Sequence, residues 1–561
     1  MIDWRKTDIT IGQLWRRSTH IRQFNQACLN PGVAQRQKLQ QIINANINAS
    51  FGRTHKFDQI SSLQDYQKFV PPAAYEHLKP YIDAVMAGQK KQLTEDEPFM
   101  FATTSGTTDT PKYIPINRMH LADYTHAFQI HNYHLVRDFW QATSGQFFII
   151  SSNDEEGLVP SGLPYGAVSG LLNQRQSPLI RRHFAVPYAV CKIKNVEMKY
   201  YLMLRTALAQ NVTAFLACNP SSLILLADQL KEHSVDLIAD IFDGSIKSTY
   251  LPSTKWRDAF SNYLKPNRQR ARMLEKIMDE ESILLPKTVW PQSTVISCWK
   301  GGPMSFYLEK LPEYYGNIPV RDFGYMASEG RGSIPISDDG AGGVLAITSH
   351  FFEFVAEEDM ESPSPKFLTV EELDLHNRYY IFFTTNAGLY RYNINDLVEV
   401  AGFYGKTPII EFVRKGLGIS SITGEKITEE QVLTAFRQVT HQLNLDTINH
   451  FTAEVKLALP PYYVCFVEID TSLPHSVQEE FVRLFDQSLR CQNPEYEEKR
   501  YSNRLAMPKI EMLPAGTYKS LRQQRVMEGA PEAQVKIPFL STSSSFAGRL
   551  ALLAKKEVIA S

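Results

Sequence analysis

Three short segments of this chain hold side chains suited to work on phosphate, and they lie far apart in sequence. The first is Thr103-Thr104-Ser105-Gly106-Thr107-Thr108-Asp109-Thr110-Pro111-Lys112, in which six of ten residues carry a hydroxyl. Hydroxyls and backbone N–H groups donate to phosphate oxygens, Gly106 lets the backbone come close, and Lys112 can neutralise polyphosphate charge. The spacing is not that of a Walker A loop, whose second glycine directly precedes Lys-Ser/Thr. A polar turn between two strands would have a similar composition.

The second segment, Phe323-Gly324-Tyr325-Met326-Ala327-Ser328-Glu329-Gly330, follows the β-like run Ile318-Pro319-Val320. On a loop at a strand end, Glu329 can hold a metal ion bridging phosphates and Tyr325 can stack on a base. A solvated acidic turn is the plainer alternative. In the third, Tyr390-Arg391-Tyr392-Asn393-Ile394-Asn395-Asp396-Leu397-Val398, an aspartate after a turn-former is placed to accept both hydroxyls of a ribose. A hairpin with a capping Asp reads the same way in isolation.

The elements that must position these residues alternate along the chain. Leu39, Ile42, Ile43 and Ile47 recur near helical spacing within a helical first hundred residues. After Phe99 come short apolar runs, namely 147–150, 213–217, 294–298, 344–348 and 380–384, with helical patterns between them. That alternation predicts α/β sheets with ligand sites beyond strand ends. The segment 412–418, Phe-Val-Arg-Lys-Gly-Leu-Gly, interrupts an apolar strand with adjacent charges and two glycines, as a hinge would. The expected division is a body over 1–413, a hinge over 414–426 and a small domain over 427–561. The tail after Phe539, with its Ser/Thr run 541–545, reads as loosely ordered.

Composition narrows the function classes. The 561 residues carry a net charge of −1, with 43% hydrophobic and 21% charged residues, values of a folded globular chain. Near neutrality gives no long-range pull on nucleic acid or an anionic membrane, so any anionic ligand must be held locally. The six cysteines are scattered and without CxxC, which fits reduced thiols in a cytoplasmic protein. The start, Met1-Ile2-Asp3-Trp4-Arg5-Lys6, does not resemble a signal peptide. The longest apolar stretch, 213–230, is divided by Asn219-Pro220-Ser221-Ser222, so no membrane span is expected.

Other motifs lead nowhere sharper. His126, His131 and His134 lack an HExxH pattern and suit an ordinary amphipathic helix. Gly416-x-Gly418-x-x-Ser421 lacks the third glycine of a dinucleotide fingerprint, and no Gly-x-Ser-x-Gly elbow supports a serine hydrolase. The segment 298–302, Cys-Trp-Lys-Gly-Gly, reads either as a wall of an adenine pocket or as a buried strand end.

Taken in order, the hydroxyl-rich loop, the Tyr-x-x-Ser-Glu turn and the Tyr-Arg…Asp strand resemble the adenylate-forming superfamily. Leu78-Lys79-Pro80-Tyr81-Ile82, Tyr113-Ile114-Pro115, Phe351-Phe352-Glu353-Phe354 and Ala401-Gly402-Phe403-Tyr404-Gly405-Lys406-Thr407-Pro408 narrow this. They look like the auxin-responsive Gretchen Hagen family of acyl-acid amido synthetases, over about residues 30–540. The resemblance implies an α/β fold: a large N-terminal domain of a β-barrel and two helix-flanked sheets, and a small mobile C-terminal domain. It implies ATP and Mg²⁺, used to join a small carboxylic acid to an amino acid or other amine, in a monomer. Ser105, Gly106, Thr107, Thr108 and Lys112 would then face the phosphates. Tyr325 and Ser328 would also line the nucleotide site, Glu329 would meet the metal or α-phosphate, and Asp396 the ribose. Lys426, in Gly424-Glu425-Lys426-Ile427, and Lys536, in Gln534-Val535-Lys536, would be the catalytic lysines. Tyr124, Phe128, Gln129 and His131 would line the acyl pocket. Departures from the family pattern are Asp109 in the loop, Asn395 before the ribose aspartate, and Ala533 and Val535 near Lys536.

A carboxylate is a poor acylating agent because its leaving group would be oxide. Attack on the α-phosphorus of ATP gives a mixed anhydride and expels pyrophosphate, after which an amine displaces AMP. Two anions must meet, so cations and oriented donors are needed at the phosphoryl group. Shared nucleotide motifs leave open an acyl-CoA synthetase or stand-alone adenylating enzyme. The departures leave open an idle nucleotide- or acid-binding protein.

Overall fold

A computed structural model of the chain describes residues 4–104, 112–250, 260, 263–416, 418–445, 448, 450–469, 473–527, 538–541 and 546–560. Its described residues divide into two compact units, one formed by those of 1–104 with 112–414 and the other by those of 415–561. The strand Thr407–Lys415 runs unbroken through the charged pair Arg414-Lys415 and stops before Gly416, so the charges do not interrupt it.

The first unit opens with helices. In Pro31–Ala45 the predicted apolar positions Leu39, Ile42 and Ile43 are buried, while Ile47 falls in the turn beyond the helix end. Hydrophobic runs 147–150, 213–217 and 294–298 become strands Gln146–Ile150, Val212–Ala217 and Val295–Cys298, which pair in parallel and in chain order with Val320–Asp322. Helices Val196–Leu208, Pro220–Glu232, Ser234–Asp243 and Arg268–Glu281 bury apolar side chains with this sheet, whose strands are continuous apolar runs as a doubly covered parallel sheet requires. Val320–Asp322 is an edge strand, and its carboxyl end delivers the Phe323–Gly330 segment.

A six-stranded sheet follows, in the order Ser333–Ile334, Gly343–Leu345, Thr407–Lys415, Tyr392–Tyr404, Arg378–Thr384, Phe351–Ala356. The order is open, and no closed barrel forms among the described strands. The run predicted at 344–348 ends at Leu345, where a turn through Ala346–Ser349 redirects the chain toward Phe351. A smaller sheet pairs Met100–Thr104 with Lys112–Ile116 antiparallel, from Met100↔Ile116 to Thr104↔Lys112. This hairpin carries the hydroxyl-rich segment between its strands.

Arg391 of the third motif is structural. Its guanidinium is buried and ion-paired to Glu353 at 2.8 Å, and it donates to the Val70 carbonyl at 2.9 Å. Glu353 also accepts from Gln67 at 2.9 Å, so both buried charges are satisfied.

In the second unit the strand Tyr462–Glu468 separates two helical layers through its period-two alternation. Tyr463, Cys465 and Val467 pack with residues of helices Glu429–Gln442 and His475–Gln492. Val464 and Phe466 pack instead with Tyr518, Leu521, Leu550 and Leu553. The chain beyond Phe539 is more regular than its composition suggests: Leu540–Ser541 is a strand and Phe546–Ala560 a helix, while 542–545 lie outside the described residues. All six cysteines are free thiols, four of them buried. No helix among the described residues is long and apolar enough to cross a membrane.

Candidate active site

The described residues of the three motifs meet in the first unit. Ser328 Oγ donates to the Thr103 carbonyl at 3.3 Å, which sets the second motif beside the strand leading into the first. Tyr325 donates its hydroxyl to Asp396 Oδ2 at 2.6 Å, which joins the second to the third. Lys112 lies at the other strand of the hairpin, its Nζ 5.4 Å from the centre of the Tyr75 ring.

Backbone irregularities aim these groups. Asp396 sits at a bulge: Tyr380 pairs with Leu397 and Phe382 with Asn393, so Ile381 alone faces the three residues 394–396. Extra residues of this kind bend a strand and re-aim a side chain. Asn395 takes a left-handed φ of 58°, a conformation that asparagine enters more readily than most residues. Before Tyr325, Gly324 has φ 92°, and a Cβ there would lie 2.6 Å from the Ser333 carbonyl oxygen. Trp299 Nε1 holds the Gly324 carbonyl at 2.9 Å, and Asp322 accepts from the Gly324 and Lys300 N–H groups at 2.6 Å each. In the segment 298–302 only Cys298 is buried and belongs to the strand, while Trp299 fixes the tyrosine turn through the Gly324 carbonyl.

Tyr325 is 9% exposed and stacks against Phe412 at 6.0 Å. Burial, then the charge of Asp396, pushes its phenol well above its ordinary range, so it stays a donor. Glu329 is 6% exposed and lies close enough to Tyr124, Tyr325 and Tyr392 for its charge to raise all three phenols. Among the described residues its carboxylate makes no hydrogen bond or ion pair.

The helix Arg118–Asp138, capped by Asn117, presents two different faces. Tyr124 donates to the Ala327 carbonyl at 2.6 Å, Phe128 packs on Phe323 at 5.9 Å, and buried His131 lies 5.8 Å from the same ring. These three therefore cluster at the tyrosine turn. Gln129 does not: it accepts from Arg16 Nε at 2.7 Å and lines a cavity on the other side of the helix. At 3.6 residues per turn it stands about 140° from Tyr124 around the axis, a signal already present in the spacing.

The residue that sequence reasoning missed is Arg331. It is fully buried, donates to the carbonyls of Phe323 at 2.7 Å and Ser333 at 3.1 Å, and lies 4.2 Å from the Phe128 ring centre. Its Nη1 has no partner and no carboxylate pairs with it among the described residues; burial lowers its pKa to about 10. Only tertiary structure brings it to Phe128.

In the second unit, Lys426 has a left-handed φ of 46°. The turn around it is fixed by Glu425, which is fully buried and accepts from Ile422 N at 3.0 Å, Thr423 N at 2.7 Å, Thr423 Oγ1 at 2.8 Å and the Tyr463 hydroxyl at 2.6 Å. Asn493 Nδ2 holds the Glu425 carbonyl at 2.8 Å. Ser105, Gly106, Thr107, Thr108 and Lys536 lie outside the described residues, as do Asp109, Ala533 and Val535.

The helix histidines give a pH expectation. Burial, first among the causes, pushes His126 and His134 down to about 4 and His120 to about 3. The charges of His20 and Lys38 act on His126 in the same direction. The unfolded chain binds these protons near pH 6.5, the folded chain only near or below pH 4. Stability is therefore present above pH 6.5 and lost as pH falls toward 4. Urea unfolding should show this, and His126→Gln should reduce the slope by up to about 1.4 kcal/mol per pH unit. An unchanged slope would place His126 in water.

An edge-strand tyrosine turn bonded to a buried aspartate, beside the strand Met100–Thr104, defines an α/β protein of two units whose first unit carries a buried, partly aromatic polar cluster. The chain belongs to the GH3 family: the family's N-terminal domain matches residues 20–320, its central domain 343–415 and its C-terminal domain 430–545. Among relatives, the indole-3-acetic acid-amido synthetase GH3.5 of Arabidopsis thaliana is 24% identical over 95% of this chain and 92% of its own length. The 4-substituted benzoates-glutamate ligase GH3.12 of the same plant is 24% identical over 93% and 94%. In fold, the chain is similar to a solved GH3.15 acyl acid amido synthetase, with a TM-score of 0.65, 21% identity, and coverage of 94% of this chain and 95% of that one.

Proposed function

We propose that the chain is an ATP-dependent ligase that activates a small carboxylic acid as its acyl-adenylate, releases pyrophosphate and passes the acyl group to the amine of an amino acid. The carrying observation is the convergence of three motifs, through Ser328 on Thr103 and Tyr325 on Asp396. Family membership and the amido-synthetase activities named for the relatives support the same reading.

In this reading Asp396 accepts the ribose hydroxyls, with the Tyr325 proton fixing the orientation of the carboxylate. The Tyr325 ring borders the adenine. Ser105, Gly106, Thr107, Thr108, Ser328 and Lys112 face the phosphates, where donors aimed at developing charge act most strongly. Tyr124, Phe128 and His131 wall the acid pocket; His131, held neutral by burial, adds no charge there. Gln129 is left out of that pocket because of the face it occupies. Lys536 supplies a cation at the transferring phosphoryl group during adenylation, and Lys426 reaches the nucleotide in the closed state. Residues 414–426 act as a hinge between a body and a cap of 427–561, which exchanges lysines between the half-reactions.

Among the described residues no three His, Cys, Asp or Glu side chains cluster as a metal site. Mg²⁺ at a nucleotide needs only one or two carboxylates besides phosphate oxygens and water. Glu329, buried and without a hydrogen-bond partner among the described residues, fits that donor set and would hold the ion, which supplies charge neutralisation at the phosphates.

Acid-dependent exchange of labelled pyrophosphate into ATP tests the reading. Exchange with at least one acid of a broad panel is expected, followed by amide on adding amino acids and no thioester with coenzyme A. No exchange with any acid would leave only a binding protein; thioester without amide would make the chain an acyl-CoA synthetase.

A further inference from the structure

The face of the Arg118–Asp138 helix that carries Gln129 opens on a cavity of about 530 Å³, within the usual range for small-molecule sites. Trp15, Phe99, Arg118, His126, Gln129 and Arg175 are among its walls. Two of these are apolar plates and two are cations, and none of the lining residues is a carboxylate. Trp15 is 51% exposed, a large ring that a ligand would cover.

The cations are arranged by their neighbours rather than neutralised. The Arg175 guanidinium lies 4.7 Å from the Phe99 ring centre, and Arg16 is fastened to Gln129. Among the described residues neither Arg118 nor Arg175 makes an ion pair. Asp96, the acid beside the helix start, accepts at Oδ2 from the backbone N–H groups of Arg118 and Met119, at 3.0 and 3.2 Å. His20 and His126 contact each other through Nδ1 at 2.6 Å, and burial lowers the pKa of both.

The cavity is remote from the phosphate-binding motif. Phe99 and Arg118 flank the Met100↔Ile116 end of the hairpin, whereas the hydroxyl-rich segment leaves from Thr104↔Lys112. At about 3.3 Å per residue the two ends are roughly 13 Å apart.

We propose that this cavity is a second ligand site that takes a small aromatic carboxylate, its ring against Trp15 and Phe99 and its carboxylate toward Arg118 and Arg175. The site stands on these walls alone, independently of the reaction assigned to the cleft.

Benzoate, added to the full-length protein while tryptophan fluorescence is recorded, is the probe. A saturable change that disappears in Trp15→Phe is expected, with apparent affinity weakened at least 10-fold in Arg118→Ala/Arg175→Ala. The double variant should keep its melting temperature and its acid-dependent pyrophosphate exchange, which separates this site from the reaction site. Benzyl alcohol, which keeps the ring and lacks the charge, should give no saturable change. The proposal is overturned by the absence of any Trp15-dependent response up to about 10 mM benzoate, weaker than any useful site. An equal response in the double variant, or to benzyl alcohol, overturns it too.

Discussion

Asp396→Asn is expected to lower kcat/KM for ATP by about 10²-fold while the melting temperature stays within about 2 °C of the parent. The magnitude follows from the chemistry assigned to the carboxylate. Hydrogen bonds to a charged group contribute about 1.5–3 kcal/mol, and each 1.4 kcal/mol is tenfold in rate. An amide keeps the shape and one acceptor, so the Tyr325 hydroxyl, 2.6 Å from Oδ2, still has a partner. Asp396→Ala is the poorer test because it strands a buried phenol at a cost of about 1–3 kcal/mol. The two variants together separate the roles. Equal loss of melting temperature in both, with no change in the response to ATP, would make Asp396 a structural partner of Tyr325 and nothing more. Tyr325→Phe keeps the ring and removes the donor, and should fall between the parent and Asp396→Asn in activity.

That test depends on a juxtaposition that local patterning reveals only in part. The strands at 147–150, 213–217 and 294–298 were legible because a covered parallel sheet needs continuous apolar runs, and such runs survive in any window of sequence. The three chemical motifs were legible because their residue types are unusual together. Their meeting was not, since Ser328 and Thr103 are brought together across 225 residues by the packing of separate sheets. The bulge that aims Asp396 adds residues on one strand relative to its neighbour, and register is a property of a pair that no single strand records. Arg331 gave no signal at all: a lone arginine after Glu329-Gly330 becomes informative only once Phe128 and Phe323 enclose it. Gln129 is the opposite case, where helical spacing already turned it away from Tyr124.

Lys426→Ala and Lys426→Gly are both expected to lower overall amide formation by about 10²–10³-fold, the loss typical of removing one charge-stabilising donor at a developing anion. They should differ in stability, and the sign is set by the backbone. Lys426 holds a φ of 46°, where a residue with a Cβ is strained by about 1–2 kcal/mol and glycine is not. Glycine loses about 0.5–1 kcal/mol more than alanine in chain entropy on folding, so the net advantage of Lys426→Gly over Lys426→Ala is about 0–1.5 kcal/mol. In a unit of this size each 1 kcal/mol is about 2–4 °C in melting temperature. The strain persists in the parent because Glu425 closes the turn from within, taking four hydrogen bonds from Ile422, Thr423 and Tyr463. A backbone conformation maintained against its own preference, at a residue whose side chain is half-buried, is what positioning a reactive ammonium group would demand. A glycine variant less stable than the alanine variant by the full entropic cost of about 0.5–1 kcal/mol would show that the turn carries no strain. Full amide-forming activity in both would remove Lys426 from the chemistry and leave Lys536 to act alone.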